Sequence, residues 1–125
     1  MNMYQQHIME HYGNPCNYGT VQDCTHQHTD FNPLCGDEVT IQVKVEDDKV
    51  VNVGFTCKGC AISKASTSML TEHVEGKGVE IVKNIKNEDM MQMLNIPISP
   101  SRVNCVLLGL VAIKKALYGV EHAEH

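Results

Sequence analysis

Val39-Thr40-Ile41-Gln42-Val43-Lys44-Val45, then Glu46-Asp47-Asp48-Lys49, then Val51-Asn52-Val53-Gly54-Phe55 is the stretch that decides the fold class. In the first run Val39, Ile41, Val43 and Val45 point one way and Thr40, Gln42 and Lys44 the other, the period-two pattern of a half-buried strand. Glu46 to Lys49 reads as a polar turn, and Val51, Val53 and Phe55 as the returning strand of a hairpin. From Cys60 the period becomes helical: Ala61, Ile62, Ala65, Met69 and Val74 mark one face, which ends near Gly76-Lys77-Gly78. Short helical pieces are predicted over Val79 to Lys83 and Glu88 to Leu94, the second with Met90, Met91 and Met93 as core fill. Pro97 and Pro100 interrupt, and Ser101 is the predicted N-cap of a last helix with Val106, Leu107, Leu110, Val111 and Leu117 on its apolar face. Upstream, Met3, Tyr4, His7, Ile8 and His11 recur at helical spacing as far as Gly13-Asn14-Pro15. Residues 13–34, rich in Gly, Pro, Asn, Asp and Thr, read as loop with room for one short strand. Helix, hairpin, then helices is an α+β order: a small antiparallel β-sheet packed against helices.

The 125 residues fit one domain, 1–125, with 121–125 as a flexible tail. A chain of this size buries roughly two-thirds of its unfolded surface, so it needs no metal or disulfide merely to fold. A hydrophobic fraction of 42% and a charged fraction of 20% are ordinary for a soluble globular protein. The net charge of -5 argues against a general nucleic-acid binder, which needs clustered Lys and Arg. No apolar run approaches the roughly 20 residues of a membrane span. Met1 to Glu10 lacks the basic and then apolar stretches of a signal peptide. The expectation is a cytoplasmic protein with reduced thiols, in which six cysteines point to metal binding or reactivity rather than disulfides.

Three of those cysteines sit where the chain switches between elements: Cys35 in Asn32-Pro33-Leu34-Cys35-Gly36-Asp37, Cys60 in Lys58-Gly59-Cys60-Ala61-Ile62-Ser63, and Cys105 in Arg102-Val103-Asn104-Cys105. Cys60 opens a helix and Cys105 falls in the first turn of another, where free N–H groups and the helix dipole favour a thiolate. Cys35 lies just before a strand, Gly36 permits close backbone approach, and Asp37 adds an oxygen donor. Three thiolates and a carboxylate suit tetrahedral Zn²⁺, or an iron–sulfur cluster with one unusual ligand. Against this stands the reading of each as a buried cysteine behaving as an ordinary hydrophobe, since the long gaps lack the paired knuckles of structural zinc modules. Cys57 and Cys60 form a C-x-x-C without a surrounding βαβ pattern, so Cys57 reads as a structural thiol. Cys16 and Cys24, with His26 and His28 nearby, read as loop side chains rather than a second metal site, and His122 and His125 as tail residues.

At these residues the sequence resembles the IscU/SufU/NifU-type iron–sulfur cluster assembly scaffold proteins. Tyr4 and the run His11-Tyr12-Gly13-Asn14-Pro15-Cys16-Asn17-Tyr18-Gly19 resemble the family's H-Y-x-N-P-R-N-x-G signature, with Cys16 where arginine is usual. Asn32 to Asp37 matches N-P-x-C-G-D, Gly59 to Ser66 matches G-C-x-I-x-x-A-S, and Cys105 takes the place of the third cysteine. The resemblance runs over nearly the whole chain. It implies that Cys35, Cys60 and Cys105 hold a transient [2Fe–2S] or similar cluster, or a Zn²⁺ ion, with Asp37 as fourth ligand or labiliser. It further implies a pyridoxal-phosphate cysteine desulfurase as partner, delivering persulfide sulfur to Cys105, and apo iron–sulfur proteins as clients. A homodimer is left open, as is a role for Tyr4 beyond packing.

Two departures bear on the subtype. IscU-type scaffolds place a histidine directly before the third cysteine, inside an L-P-P-V-K chaperone-recognition motif; here Asn104 and Ile98-Ser99-Pro100-Ser101-Arg102 stand in those places. The Pro-x-Arg-x-x-Cys form resembles SufU-type proteins, some of which are zinc-dependent sulfur acceptors, yet the SufU insertion between the second and third cysteines is missing. A cluster scaffold, a carrier rather than an enzyme, is the leading expectation, and a zinc-dependent sulfurtransferase the alternative.

Overall fold

The computed structural model describes residues 9–33, 36–95 and 98–119, with the backbone alone at Ser101. Its hairpin turns on Asp47 and Asp48, whose φ angles of 51° and 60° are the left-handed values that both central residues of a tight type I′ turn require. The turn joins β2 (Asp37–Glu46) to β3 (Lys49–Lys58), and β1 (His26–Asn32) pairs with the other side of β2. All pairs are antiparallel and the order is β1-β2-β3. β1 is the strand that the polar stretch before Cys35 had room for, but it runs seven residues, so His26 and His28 are strand rather than loop residues.

Val39, Ile41 and Val43 of β2 are fully buried, as the alternation requires, and face the helices with Val53 and Phe55 of β3. The expected alternation fails at one place. Val51 is exposed and Val50 takes its place in the core, because the register shifts between Lys44 and Val45 so that Val45 pairs with Val50. Such an irregularity re-aims the side chains on one side of it. The opposite face of the sheet is tied by polar pairs, Thr29 Oγ1 to Thr40 Oγ1 at 2.7 Å and Gln42 Nε2 donating to Gln27 Oε1 at 3.0 Å.

Four helices follow: α1 (Ala61–Val74), α2 (Val79–Asn84), α3 (Asn87–Leu94) and α4 (Val103–Tyr118). α4 crosses β1 and β2 and packs on α1, which in turn covers β3. The two helices meet at Gly109, where an added Cβ would collide with Thr67, so the close approach depends on a glycine there. Ser101 does not cap α4: Pro100–Arg102 forms a 3₁₀ turn and Arg102 takes the N-cap position, the proline fixing the tight turn before the helix proper. Met90 is fully buried, and Met91 and Met93 pack at the core's edge.

Residues 9–13 are helical, while the expected helical positions Met3, Tyr4, His7 and Ile8 lie outside the described residues, as do Cys35 and the tail 121–125. The segment after this helix lies along α1. The Ser68 hydroxyl accepts the Cys16 N–H at 2.7 Å and bonds His11 Nδ1 at 2.6 Å, and Lys64 Nζ sits over the rings of Tyr12 and Tyr18. The H-Y-x-N-P-x-N-x-G residues are thus a strap across the helix that begins at Cys60. The strap also covers the β3 edge: Gly19 N–H donates to Phe55 C=O and Phe55 N–H to Asn17 C=O, next to Gly54, which has no Cβ to obstruct the approach. No helix among the described residues is long and apolar enough to cross a membrane.

Candidate metal centre

Asp37 begins β2, Cys60 is the N-cap of α1, and Cys105 is the third residue of α4. Residues far apart in sequence therefore meet at one end of the sheet, where a strand starts and two helices start. One ligand atom from each lies within 4.8 Å of the other two, and no second group of this kind occurs among the described residues. Zn–S bonds of about 2.3 Å in a tetrahedron put donors roughly 3.7 Å apart, so a modest contraction would close these three onto one ion. Two soft sulfurs with one hard oxygen suit zinc and iron–sulfide alike. Asp37 and Cys105 are buried and Cys60 is half-buried.

The carboxylate is held before any cation arrives. Cys60 N–H donates to Asp37 Oδ1 at 3.1 Å, the orphan amide of a helix N-terminus finding its anion. Ser63 Oγ donates to Oδ2 at 2.5 Å and the Cys60 thiol to the same oxygen at 3.2 Å. Gly59 makes this packing possible, for a Cβ at that position would fall into the Asp37 carboxylate. A cation held by this set would take the place of the thiol proton between Cys60 Sγ and Asp37 Oδ2.

Of the expected site residues, Asp37, Cys60 and Cys105 are together, and Cys35 lies outside the described residues two positions from Asp37. Cys57 stands apart from the set. It is half-buried on β3, and burial, then the negative charge of Asp37, then Cys60, push its thiol up from 9.0 to about 11, against a smaller opposite pull from Lys64. Cys16 donates to Glu72 Oε2 at 3.1 Å, and burial followed by that hydrogen bond raises its pKa too. A cavity of about 530 Å³ lined by His11, Cys16 and Glu72 includes none of Asp37, Cys60 and Cys105. Sequence reasoning passed over Ser63, although a residue three after Cys60 lies on the same face of the helix.

The NifU-like N-terminal domain pattern matches residues 3–124 of the chain. The chain is 34% identical to the iron–sulfur cluster assembly scaffold protein IscU of Escherichia coli, the match covering 91% of each. It is 32% identical to the zinc-dependent sulfurtransferase SufU of Bacillus subtilis, over 92% of this chain and 89% of that one. Among solved structures, FiSufU from Fervidobacterium islandicum superposes with a TM-score of 0.77 at 30% identity, covering 94% of this chain and 96% of the other. The N-terminal NifU-like protein of Brucella abortus, at 23% identity and a TM-score of 0.77, shares the fold. With the three-stranded antiparallel sheet and its covering helices, these matches establish that the chain belongs to the IscU/SufU/NifU family.

Proposed function

We propose that the protein is a scaffold on which an iron–sulfur cluster is assembled and from which it is handed to apo-proteins. The observation that carries this reading is the convergence of Asp37, Cys60 and Cys105 at one end of the sheet. Cys35, two residues before Asp37, supplies the third thiolate in this reading. Cys60 is the N-cap of α1 and Cys105 lies in the first turn of α4, so both sulfurs are carried on the starts of packed helices. Asp37 is the weak point by design. A carboxylate is a poorer partner than thiolate for a soft iron–sulfide centre, so its bond is the first to exchange when the cargo leaves.

Sulfur arrives in this account as a persulfide on a cysteine desulfurase. The Cys105 thiolate attacks the outer sulfur, a new S–S bond forms on Cys105, and the donor's cysteine leaves as thiolate, with no net redox change. Each sulfur carried this way needs two electrons, from an external thiol or one-electron carrier, to become sulfide. Because Cys105 is 1% exposed, acceptance there requires its surroundings to move, which a docking donor can supply. In this reading residues 1–125 act as one domain.

A second reading is favoured by Asn104, by Arg102 in the Pro100-x-Arg102-x-x-Cys105 order, and by the likeness to a zinc-dependent sulfurtransferase. Here the same four residues hold zinc, which keeps its thiols deprotonated, and the protein relays persulfide without building a cluster. Anaerobic incubation with a cysteine desulfurase, cysteine and ferrous iron separates the two. Sulfide-to-iron charge-transfer bands that disappear in Cys60→Ser and Cys105→Ser variants are the expected result. A colourless protein that speeds the desulfurase only when loaded with zinc establishes the relay instead. In the scaffold, Asp37→Ala should retain its cluster longer and transfer it more slowly; transfer unchanged or faster contradicts the part given to Asp37.

A further inference from the structure

We infer that Ser63 is a positioning residue for Asp37: its hydroxyl fixes the carboxylate in the orientation that a metal ion needs. The inference rests on the reading of Asp37 as a ligand. Ser63 is fully buried in the first turn of α1, and its hydroxyl donates to Asp37 Oδ2 at 2.5 Å, while Cys60 Sγ lies 3.6 Å from the same hydroxyl. A hydroxyl with a helical turn before it can back-bond to a carbonyl of that turn, which Ser63, in the first turn of α1, lacks. Neighbouring hydroxyls on α1 do so: Ser66 Oγ and Thr67 Oγ1 both donate to Ser63 C=O, at 3.2 and 2.8 Å. The Ser63 hydroxyl is turned instead across the gap to β2. Its own carbonyl is pinned by those two neighbours, so the donor has a fixed base.

These donors on Asp37 divide by what a bound cation would do to them. The Cys60 thiol proton leaves, whereas the Cys60 N–H on Oδ1 and the Ser63 O–H on Oδ2 stay. With Ser63 in place the carboxylate is held at both oxygens, and Oδ2 stays within reach of the Cys60 sulfur. Outer hydrogen-bond partners of this kind are commonly worth ten- to hundredfold in metal affinity. Without the hydroxyl, Oδ2 loses this donor, and the ion meets a ligand whose orientation is set less tightly.

The test is zinc affinity by competition with a chromophoric chelator, on the full chain at pH 7.5. Ser63→Ala is expected to bind zinc about tenfold more weakly, and to have no further effect in an Asp37→Ala background, because the two act through one ligand. Wild-type affinity in Ser63→Ala overturns the inference. So does an undiminished loss in the Asp37→Ala background, which would mark the effect as general structure. Should Ser63→Ala fold poorly by circular dichroism, Ser63→Thr and Ser63→Val form a matched pair of equal shape. Their steric cost is shared, so tighter binding by the threonine form supports the hydroxyl's role and equal binding refutes it. Cys60→Ser and Asp37→Ala serve as references: if neither lowers zinc affinity, it is the reading of the site that fails, and if both do while Ser63→Ala does not, only the role of Ser63 falls.

Discussion

At Gly59 a single missing atom decides whether Asp37 can lie where it does, since any Cβ there occupies the carboxylate's space. Gly59→Ala should therefore weaken zinc binding by roughly tenfold, as loss of a well-placed ligand neighbour does; chelator competition checks this, and undiminished affinity argues against the close packing. Cys57 lies only three residues from Cys60 yet belongs to a different environment. Burial, with the nearby Asp37 charge, raises its pKa to about 11 from 9.0, so the folded chain holds that proton more tightly than the unfolded chain. The resulting stabilisation is complete below pH 9 and is lost as pH climbs through about 11. At pH 8 in the metal-free protein, iodoacetamide should alkylate Cys57 roughly tenfold or more slowly than in the urea-unfolded chain, as read by peptide mass mapping. Equal rates would contradict the environment described. The C-x-x-C spacing alone gave no sign of this difference, because spacing carries no information about charge or burial; the reading of Cys57 as structural came from the lack of a βαβ context.

The hairpin, α1 and the two short helices were legible because their signals are local: period two, period 3.6, glycines after the last turn, and a polar turn between alternating runs. What was not legible required the partner strand. Val51 continues the alternation in sequence, and the register shift that exposes it exists only once β2 and β3 are paired. Val50→Ala should accordingly cost about 2 kcal/mol in urea denaturation, whereas Val51→Thr should stay within about 0.5 kcal/mol of wild type. The reverse ranking would mean that the regular register is the true one. β1 was underestimated because its residues, His26-Gln27-His28-Thr29-Asp30, carry little β-propensity; pairing with β2 and cover from α4 stabilise it in their place. The α1–α4 contact has a similar hidden dependence. Gly109→Ala improves helix propensity but drives a Cβ into Thr67, whose own Cβ would lie 3.1 Å away, and a net loss of about 2 kcal/mol is expected. A thermal melt at or above the wild-type midpoint would contradict it.

Across the whole molecule the fold does one thing for the chemistry: it brings the start of β2, the start of α1 and the start of α4 to the same end of the sheet. The sequence motifs named Asp37, Cys60 and Cys105, but their meeting point follows from topology, and Ser63 and Gly59 take their meaning only from it. The strap of residues 11–19 binds along α1, the helix that begins at Cys60, through Ser68 and Lys64. Stripping metal should leave this frame intact, since the core is apolar and continuous without it. In the proposed reading, thiols and a carboxylate gather into one thiophilic centre. X-ray absorption at the zinc edge of protein loaded with one equivalent tests it most directly. A mixed shell is expected, sulfur at about 2.3 Å with oxygen at about 2.0 Å, that loses its oxygen in Asp37→Ala and a sulfur in Cys60→Ser or Cys105→Ser. A shell of nitrogen and oxygen alone, or one unchanged in these variants, would place the ion elsewhere and contradict the account.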